Sequence, residues 1–150
     1  MNETPAGLPG PGERSTLVRV IDAHDEDRFI AVSRDQNLLH TADSYAVSQG
    51  FTQRLAHGLL VASAVLPAIG ELLRGRAFIC LTQQIRYTRA VYPGDELHIT
   101  AEVRQVAASV GVLVIATTIA DARGTLLLDG EVRLKVLGPQ AGERGGVPHR

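Results

Sequence analysis

The chain has 150 residues, which by length is one domain with room for a sizeable hydrophobic core. Its formal net charge of −1 argues against the basic surface of a nucleic-acid-binding protein. A single cysteine excludes an internal disulfide, and the longest apolar run, residues 59–73, is too short and too interrupted to span a membrane.

Both ends of the chain are rich in glycine and proline, which predicts a mobile tail at residues 1–14 and another at residues 138–150. Between them, residues 15–137 show no linker and no internal repeat, and we expect them to form a single domain. The N-terminus lacks the apolar segment of a signal peptide. Together with the single cysteine, this favours a cytoplasmic protein.

The first half of the domain reads as one strand followed by helices. Residues 15–21 alternate enough for a strand, and Asp22 is placed to cap a helix that ends near Ser33. The first turn of that helix is acidic, as the helix dipole favours; it contains Asp25, Glu26 and Asp27. After a turn around Asp35, Thr41 is placed to cap a second short helix, with Gly50 as its stop.

A long helix is predicted from His57 to about residue 73. It is apolar nearly all round, which is typical of a buried helix. Pro67 has no N–H to donate to the Ser63 carbonyl, so we expect a kink there.

Four strands are predicted to follow, at residues 77–87, 96–106, 110–121 and 125–136. Helices in one segment and consecutive strands in the next indicate the α+β class, with a mostly antiparallel sheet. A curved sheet wrapped around one buried helix fits this order, although pattern alone does not select it over other α+β folds.

Two short segments carry groups suited to chemistry beside a carbonyl. Asp35 and His40 lie five residues apart in a polar turn that also contains Asn37. A carboxylate takes a proton from an attacking water and an imidazole makes the complementary transfer, although such residues also serve as plain turn residues. His57 and Gly58 lie at a helix start, where unpaired backbone N–H groups accommodate a developing oxyanion.

These segments resemble the MaoC-like, or (R)-specific enoyl-CoA hydratase, family. The family signature is Asp-x-Asn-x-x-His followed by His-Gly at a helix start, and it is matched here by Asp35, Asn37, His40, His57 and Gly58. The residue pairs at 45–46 and 50–51 and the run at 87–95 support the resemblance, which spans roughly residues 22–137. The chain departs from the family at Leu38, where proline is usual, and at Arg34, where a small residue is usual.

The resemblance implies a hot-dog fold and a role for each of these residues. Asp35 and His40 would be the catalytic dyad, Asn37 and His57 would orient water or substrate, and the backbone N–H of Gly58 would bind the oxyanion. Ser63 is a candidate for the acyl pocket, with a hydroxyl bonded back to the helix as the alternative. Arg86 and Arg89 are candidates for contacts to carrier phosphates, although strand arginines are usually solvated.

The expected activity is that of a lyase, which adds water reversibly to a 2-enoyl thioester and gives an (R)-3-hydroxyacyl thioester. The carrier is CoA or an acyl carrier protein, whose phosphopantetheine belongs to the substrate, and no metal or redox cofactor is needed. The alternatives are a 3-hydroxyacyl-carrier dehydratase of a fatty-acid or polyketide pathway and a non-catalytic acyl-thioester-binding or dehydratase-partner subunit. We expect a homodimer that binds neither nucleic acid nor membrane.

Overall fold

A computed structural model describes residues 7–137 as one antiparallel sheet packed against helices. The strands follow the order β1-β3-β4-β5-β2. Their bounds are β1 (Arg14–Val20), β2 (Phe78–Tyr87), β3 (Glu96–Ala107), β4 (Val112–Ala120) and β5 (Leu126–Val136). Each strand lies close to a predicted one. In β3 the alternation of apolar and polar residues matches one buried and one solvated face, whereas β2 has no fully buried residue.

The five α-helices found in residues 7–137 all lie between β1 and β2, a segregation of helices and strands that is typical of the α+β class. They are α1 (Ala23–Ser33), α2 (Leu38–Thr41), α3 (Asp43–Ser48), α4 (Gly58–Ser63) and α5 (Val65–Leu72). A 3₁₀ turn, Ala108–Val110, connects β3 to β4. Among residues 7–137, no helix combines the length and the apolar character that crossing a membrane demands.

The first helix begins and ends as its sequence predicts. Asp22 Oδ1 accepts a hydrogen bond of 2.8 Å from Asp25 N, and the Asp25 side chain bonds back to the cap. The helix ends at Ser33 and is capped by Arg34, whose φ of 58° lies in the left-handed region. Between these ends, α1 turns Glu26 into the interior, where it has no exposed surface.

The central helix is interrupted at Ala64, which separates α4 from α5. Pro67 has no N–H for the Ser63 carbonyl, and the predicted single helix is divided one residue after Ser63. The expectation of burial all round is wrong for Leu59 and Leu66, which are at least half exposed. The sheet packs against α5, and the helix pair is not enclosed on every side.

The hydrophobic core lies between α5 and the sheet. Contacts of α5 reach β1, β3 and β4. Its buried side chains are Val65, Ala68, Ile69 and Leu72. They face the buried positions of β3, which are Leu97, Ile99, Ala101 and Val103. Removing this apolar surface from water, at about 25 cal/mol per Å², is the main force that holds the helices to the sheet.

The segment before β1 is also held against the sheet. Gly12 N–H donates to Val103 O and Val103 N–H donates to Glu13 O, each at 2.9 Å, and Pro9 is buried. The domain therefore begins before residue 15. The predicted N-terminal tail, residues 1–14, is too long, because Gly12 and Glu13 are already bonded to the sheet. Residues 1–6 and the predicted tail at 138–150 lie outside the described residues.

Candidate active site

The turn between α1 and α2 fixes the carboxylate of Asp35. Asp35 Oδ1 accepts a hydrogen bond of 2.9 Å from Asn37 N, and Asp35 N–H donates to Ser33 Oγ at 3.2 Å. The Asn37 amide and, after it, the charge and hydrogen bond of His57 hold the pKa of Asp35 below its usual range, although partial burial opposes them. Asp35 is therefore an ionised acceptor at neutral pH, and its second oxygen, Oδ2, reaches His57 at 3.1 Å.

Asn37 acts through two different groups. Its side-chain Oδ1 accepts from Leu39 N at 3.1 Å and caps α2, which is ordinary turn chemistry. Its main-chain N–H orients Asp35. Asn37 was expected to orient a catalytic side chain. In the structure its main-chain N–H contacts Asp35, whereas its side-chain amide is exposed.

His57 lies at the centre of the site, with a carboxylate at each ring nitrogen. Nε2 faces Asp35 Oδ2, and Nδ1 is in short contact with Glu26 Oε1. The main-chain N–H of His57 also donates to Glu26, at 3.2 Å to Oε1 and 3.1 Å to Oε2. Glu26 is fully buried and His57 nearly so, which makes this the buried polar cluster of the site.

His40 stacks on His57, with ring centroids 3.8 Å apart and an interplanar angle of 24°. Its Nδ1 lies 2.8 Å from Leu55 O. A carbonyl only accepts, so we assign the proton to Nδ1, which leaves Nε2 of the neutral ring as an acceptor. Asp35 and His40 are brought to the same site, where His57 contacts both; within residues 7–137 they do not hydrogen-bond to each other directly.

A cavity of about 390 Å³ opens beside this cluster, and both His40 and Gly58 line it. Its other walls are mostly apolar and are formed by Phe51, Leu55, Ala56, Val61, Tyr87, Thr88, Arg89, Ala90 and Val91. The half-exposed ring of Tyr87 lies over Gly58, so closely that a Cβ on Gly58 would be 2.8 Å from Tyr87 Cζ. Partial burial raises the pKa of the Tyr87 hydroxyl.

Two of the predicted substrate contacts lie elsewhere. Ser63 does not line the cavity, because its Oγ donates to Leu60 O at 2.6 Å within the helix. Arg86 forms a two-bond ion pair across the strands with Asp129, which raises the pKa of the guanidinium and lowers that of the carboxylate. Arg86 borders a larger depression of about 490 Å³ on the strands, away from Asp35 and His40. Arg89 does line the cavity of the site.

One cluster has the residue types of a metal site. Ligand atoms of Glu26, His40 and His57 lie within 4.8 Å of one another. The lone pairs of an imidazole lie in the ring plane, and two stacked rings direct them side by side rather than towards one point. Three of the polar atoms are already hydrogen-bonded, to one another or to Leu55 O. This arrangement suits proton transfer better than the coordination of an ion.

Glu26 is the residue that sequence reasoning missed as part of the site. It was assigned only to the acidic first turn of α1. A usable signal exists, because Glu26 is spaced three and four residues before Phe29 and Ile30 and so shares their apolar helix face. The Phe29 ring lies 5.0 Å from that of His57. A glutamate on such a face must find a buried partner.

The family model described as MaoC like domain matches residues 11–122. The chain belongs to the MaoC-like domain family. The resemblance drawn from Asp35, Asn37, His40, His57 and Gly58 is thereby confirmed, since the matched range contains all five and extends over most of the described residues.

Named relatives of this MaoC-like protein are a hydratase and a dehydratase. It is 29% identical over 125 residues to an (R)-specific enoyl-CoA hydratase of Aeromonas caviae, covering 83% of this chain and 93% of that one. It is 26% identical over 125 residues to a 3-hydroxybutyryl-CoA dehydratase of Methylorubrum extorquens, covering 83% and 79%. Both relatives are lyases, the class of enzyme predicted for this chain.

Solved structures agree on the fold. The unliganded R-hydratase PhaJ1 of Pseudomonas aeruginosa superposes with a TM-score of 0.77 at 28% identity, covering 96% of this chain and 97% of that chain. The predicted hot-dog fold is thus confirmed, with an open five-stranded sheet around an interrupted helix.

Proposed function

We propose that this protein catalyses the reversible hydration of a 2-enoyl thioester to an (R)-3-hydroxyacyl thioester. The observation that carries the proposal is the position of Asp35 and His40 around His57, beside an apolar cavity that begins at His40 and Gly58. The activities of the named relatives support the same reaction class.

In the proposed reaction, Asp35 and His40 share one water. As the water oxygen bonds to C3 of the enoyl group, one of the two groups takes its proton. That same proton is then delivered to C2, by the group that took it or by the other group after transfer between them, which balances the addition because neither group starts with a proton to give. Asp35 is suited to accept because it is held ionised, and His40 presents an unprotonated Nε2 in its neutral form.

The substrate would be held by three parts of the cavity. The thioester oxygen would accept from Gly58 N–H, which has no acceptor within residues 7–137, and the acyl group would lie against Leu55, Val61 and Val91. Arg89 is the better placed of the two predicted arginines for a carrier phosphate, because Arg86 is engaged by Asp129. We place the acyl group here rather than at Ser63.

The second candidate is the dehydration of a 3-hydroxyacyl thioester on CoA or on an acyl carrier protein. The same two proton transfers run in reverse accomplish it. A relative from Arabidopsis thaliana named as a mitochondrial 3-hydroxyacyl-[acyl-carrier-protein] dehydratase, 34% identical over 79 residues, favours keeping this direction open. That match covers 53% of this chain and 46% of the relative.

The proposal is tested with the full chain and a series of enoyl-CoA thioesters of increasing length. Hydration removes the conjugated double bond, so the ultraviolet absorbance of the enoyl thioester should fall, and chiral analysis should give the (R)-3-hydroxyacyl product. Binding of the thioester without loss of absorbance would contradict the proposal and indicate a non-catalytic binding subunit.

A further inference from the structure

Glu26 is an ionisable side chain with no exposed surface. Within residues 7–137 its hydrogen-bond partners all belong to His57, namely the main-chain N–H and ring atom Nδ1. A carboxyl group buried without partners is strongly disfavoured. The position of His57 and the burial of Glu26 therefore depend on each other.

The opposite edge of the same ring determines where one proton lies. Asp35 Oδ2 is a carboxylate oxygen that only accepts, and it is 3.1 Å from His57 Nε2. The proton of that contact must therefore sit on Nε2. At Nδ1, the hydrogen bond to Glu26 forms either with a protonated ring and a carboxylate or with a neutral ring and a carboxylic acid. Both arrangements keep the proton on Nε2.

Three ionisable groups from three parts of the chain face the His57 ring. Glu26 comes from α1, Asp35 from the following turn and His40 from α2. His40 covers one face of the ring, and Phe29 lies 5.0 Å away at a tilt of 51°. The neighbouring rings restrict His57, and the hydrogen bond to Glu26 selects its orientation about its own axis.

We propose that Glu26 is a positioning residue: it fixes the orientation of the His57 ring so that Nε2–H points at Asp35, and His57 in turn holds the Asp35 carboxylate in its reactive orientation. The expected loss of kcat rests on the proposed function, whereas the expected orientation of the His57 ring does not. Glu26 touches neither the cavity nor the reacting atoms and acts through His57.

Two variants of similar size separate this role from simple filling of the core. In Glu26→Gln, the amide oxygen still accepts from His57 N–H and the amide NH₂ donates to Nδ1, so Nε2 keeps its proton. In Glu26→Met neither bond is possible, so the ring loses the hydrogen bond that selects its orientation and Nε2–H is no longer held against Asp35 Oδ2. We expect kcat to fall by about 10–100-fold in Glu26→Met, as for removed supporting partners of a site. Glu26→Gln should stay within a few-fold of the wild type.

The direct readout is side-chain nitrogen NMR of the ligand-free, full-length protein, with the His57 signals assigned by their loss in His57→Asn. The wild type and Glu26→Gln should show one His57 ring with a slowly exchanging proton on Nε2, and in Glu26→Met that proton should exchange faster with water or its signal should broaden. A folded Glu26→Met with wild-type kcat and an unchanged His57 spectrum would overturn the inference. So would a Glu26→Gln that loses as much activity as Glu26→Met.

The wild-type spectrum tests the inference even where a variant fails to fold. A His57 ring whose only proton is on Nδ1 would refute it. Because the spectrum needs no substrate, it also separates the two proposals. A protonated Nε2 in a protein that hydrates no enoyl thioester would refute the proposed function and leave the role of Glu26 standing.

Discussion

At the scale of single residues, Gly58 is placed where only a hydrogen fits beneath the Tyr87 ring. Gly58→Ala should push that half-exposed ring outward and fill the space proposed for the thioester oxygen. We expect kcat/KM to fall by about 10–200-fold, the usual effect of one methylene group in a tight pocket. Stability should change little, because the far end of the tyrosine can rotate into solvent. Steady-state kinetics and chemical denaturation measure the two quantities.

Gly70→Ala is the matched control, since Gly70 is also helical but has no atom within 4 Å of an added Cβ. It should raise stability by about 0.5–1 kcal/mol by restricting the unfolded chain and leave turnover unchanged. Equal kinetic effects in the two variants would remove Gly58 from the proposed site.

Sequence reasoning named most of the residues that the structure brings together at the candidate site, but not the contacts between them. Asp35, His40, His57 and Gly58 follow from a motif, because their spacing is local. The contacts of His57 with Asp35 and His40 depend on tertiary packing, which no spacing reveals. Glu26 was missed for the same reason, since its partner lies 31 residues away in the chain.

At the scale of elements, the start of α2 is suited to proline although Leu38 occupies it. Leu38 is the first helical residue, and Asn37 before it has a ψ of 121°, the conformation that a following proline favours. Leu38→Pro should therefore raise the free energy of unfolding by about 0.4–1 kcal/mol. Denaturant titration with turnover measured in parallel tests this.

The neighbouring position supplies the control. Leu39 N–H donates to Asn37 Oδ1 at 3.1 Å, so Leu39→Pro removes the cap and should destabilise the protein. If Leu38→Pro destabilises the protein as much as Leu39→Pro does, the backbone at the start of α2 does not suit proline.

Strands were predictable to within two residues at either end, whereas the helices were less so. Alternation reports the burial of one sheet face directly. Thr41 was expected to cap a single short helix, but Asn37 caps α2 and the chain bends again at Ala42. In helices this short, alternative capping hydrogen bonds have similar energies. Helix propensity therefore does not predict which residue caps the helix. The left-handed Arg34 likewise gave no sequence signal.

At the scale of the whole molecule, β2 is an edge strand that exposes apolar side chains. Ile79, Leu81 and Tyr87 are about half exposed. Unpaired N–H and C=O groups along such an edge favour pairing with a second copy. We therefore expect a homodimer joined through β2, with a light-scattering mass twice the 16.0 kDa of the chain.

Ile79→Lys should shift that dimer towards monomer at micromolar concentration, because it places a charge in the interface. Val32→Lys is the control, since Val32 is exposed on α1 and away from β2. A wild type that scatters as a monomer, or a dimer that both variants leave intact, would contradict assembly through β2.

The central claim is that Asp35 and His40 act on one water, and Asp35→Asn tests it most directly. The amide keeps the shape and the acceptor for Asn37 N but cannot take a proton. We expect kcat for an enoyl-CoA substrate to fall by about 10²–10⁴-fold while circular dichroism and the melting temperature stay close to the wild type. His40→Ala should show a similar loss, and the double variant should lose less than the product of the two. Near-normal turnover by a folded Asp35→Asn would contradict the account.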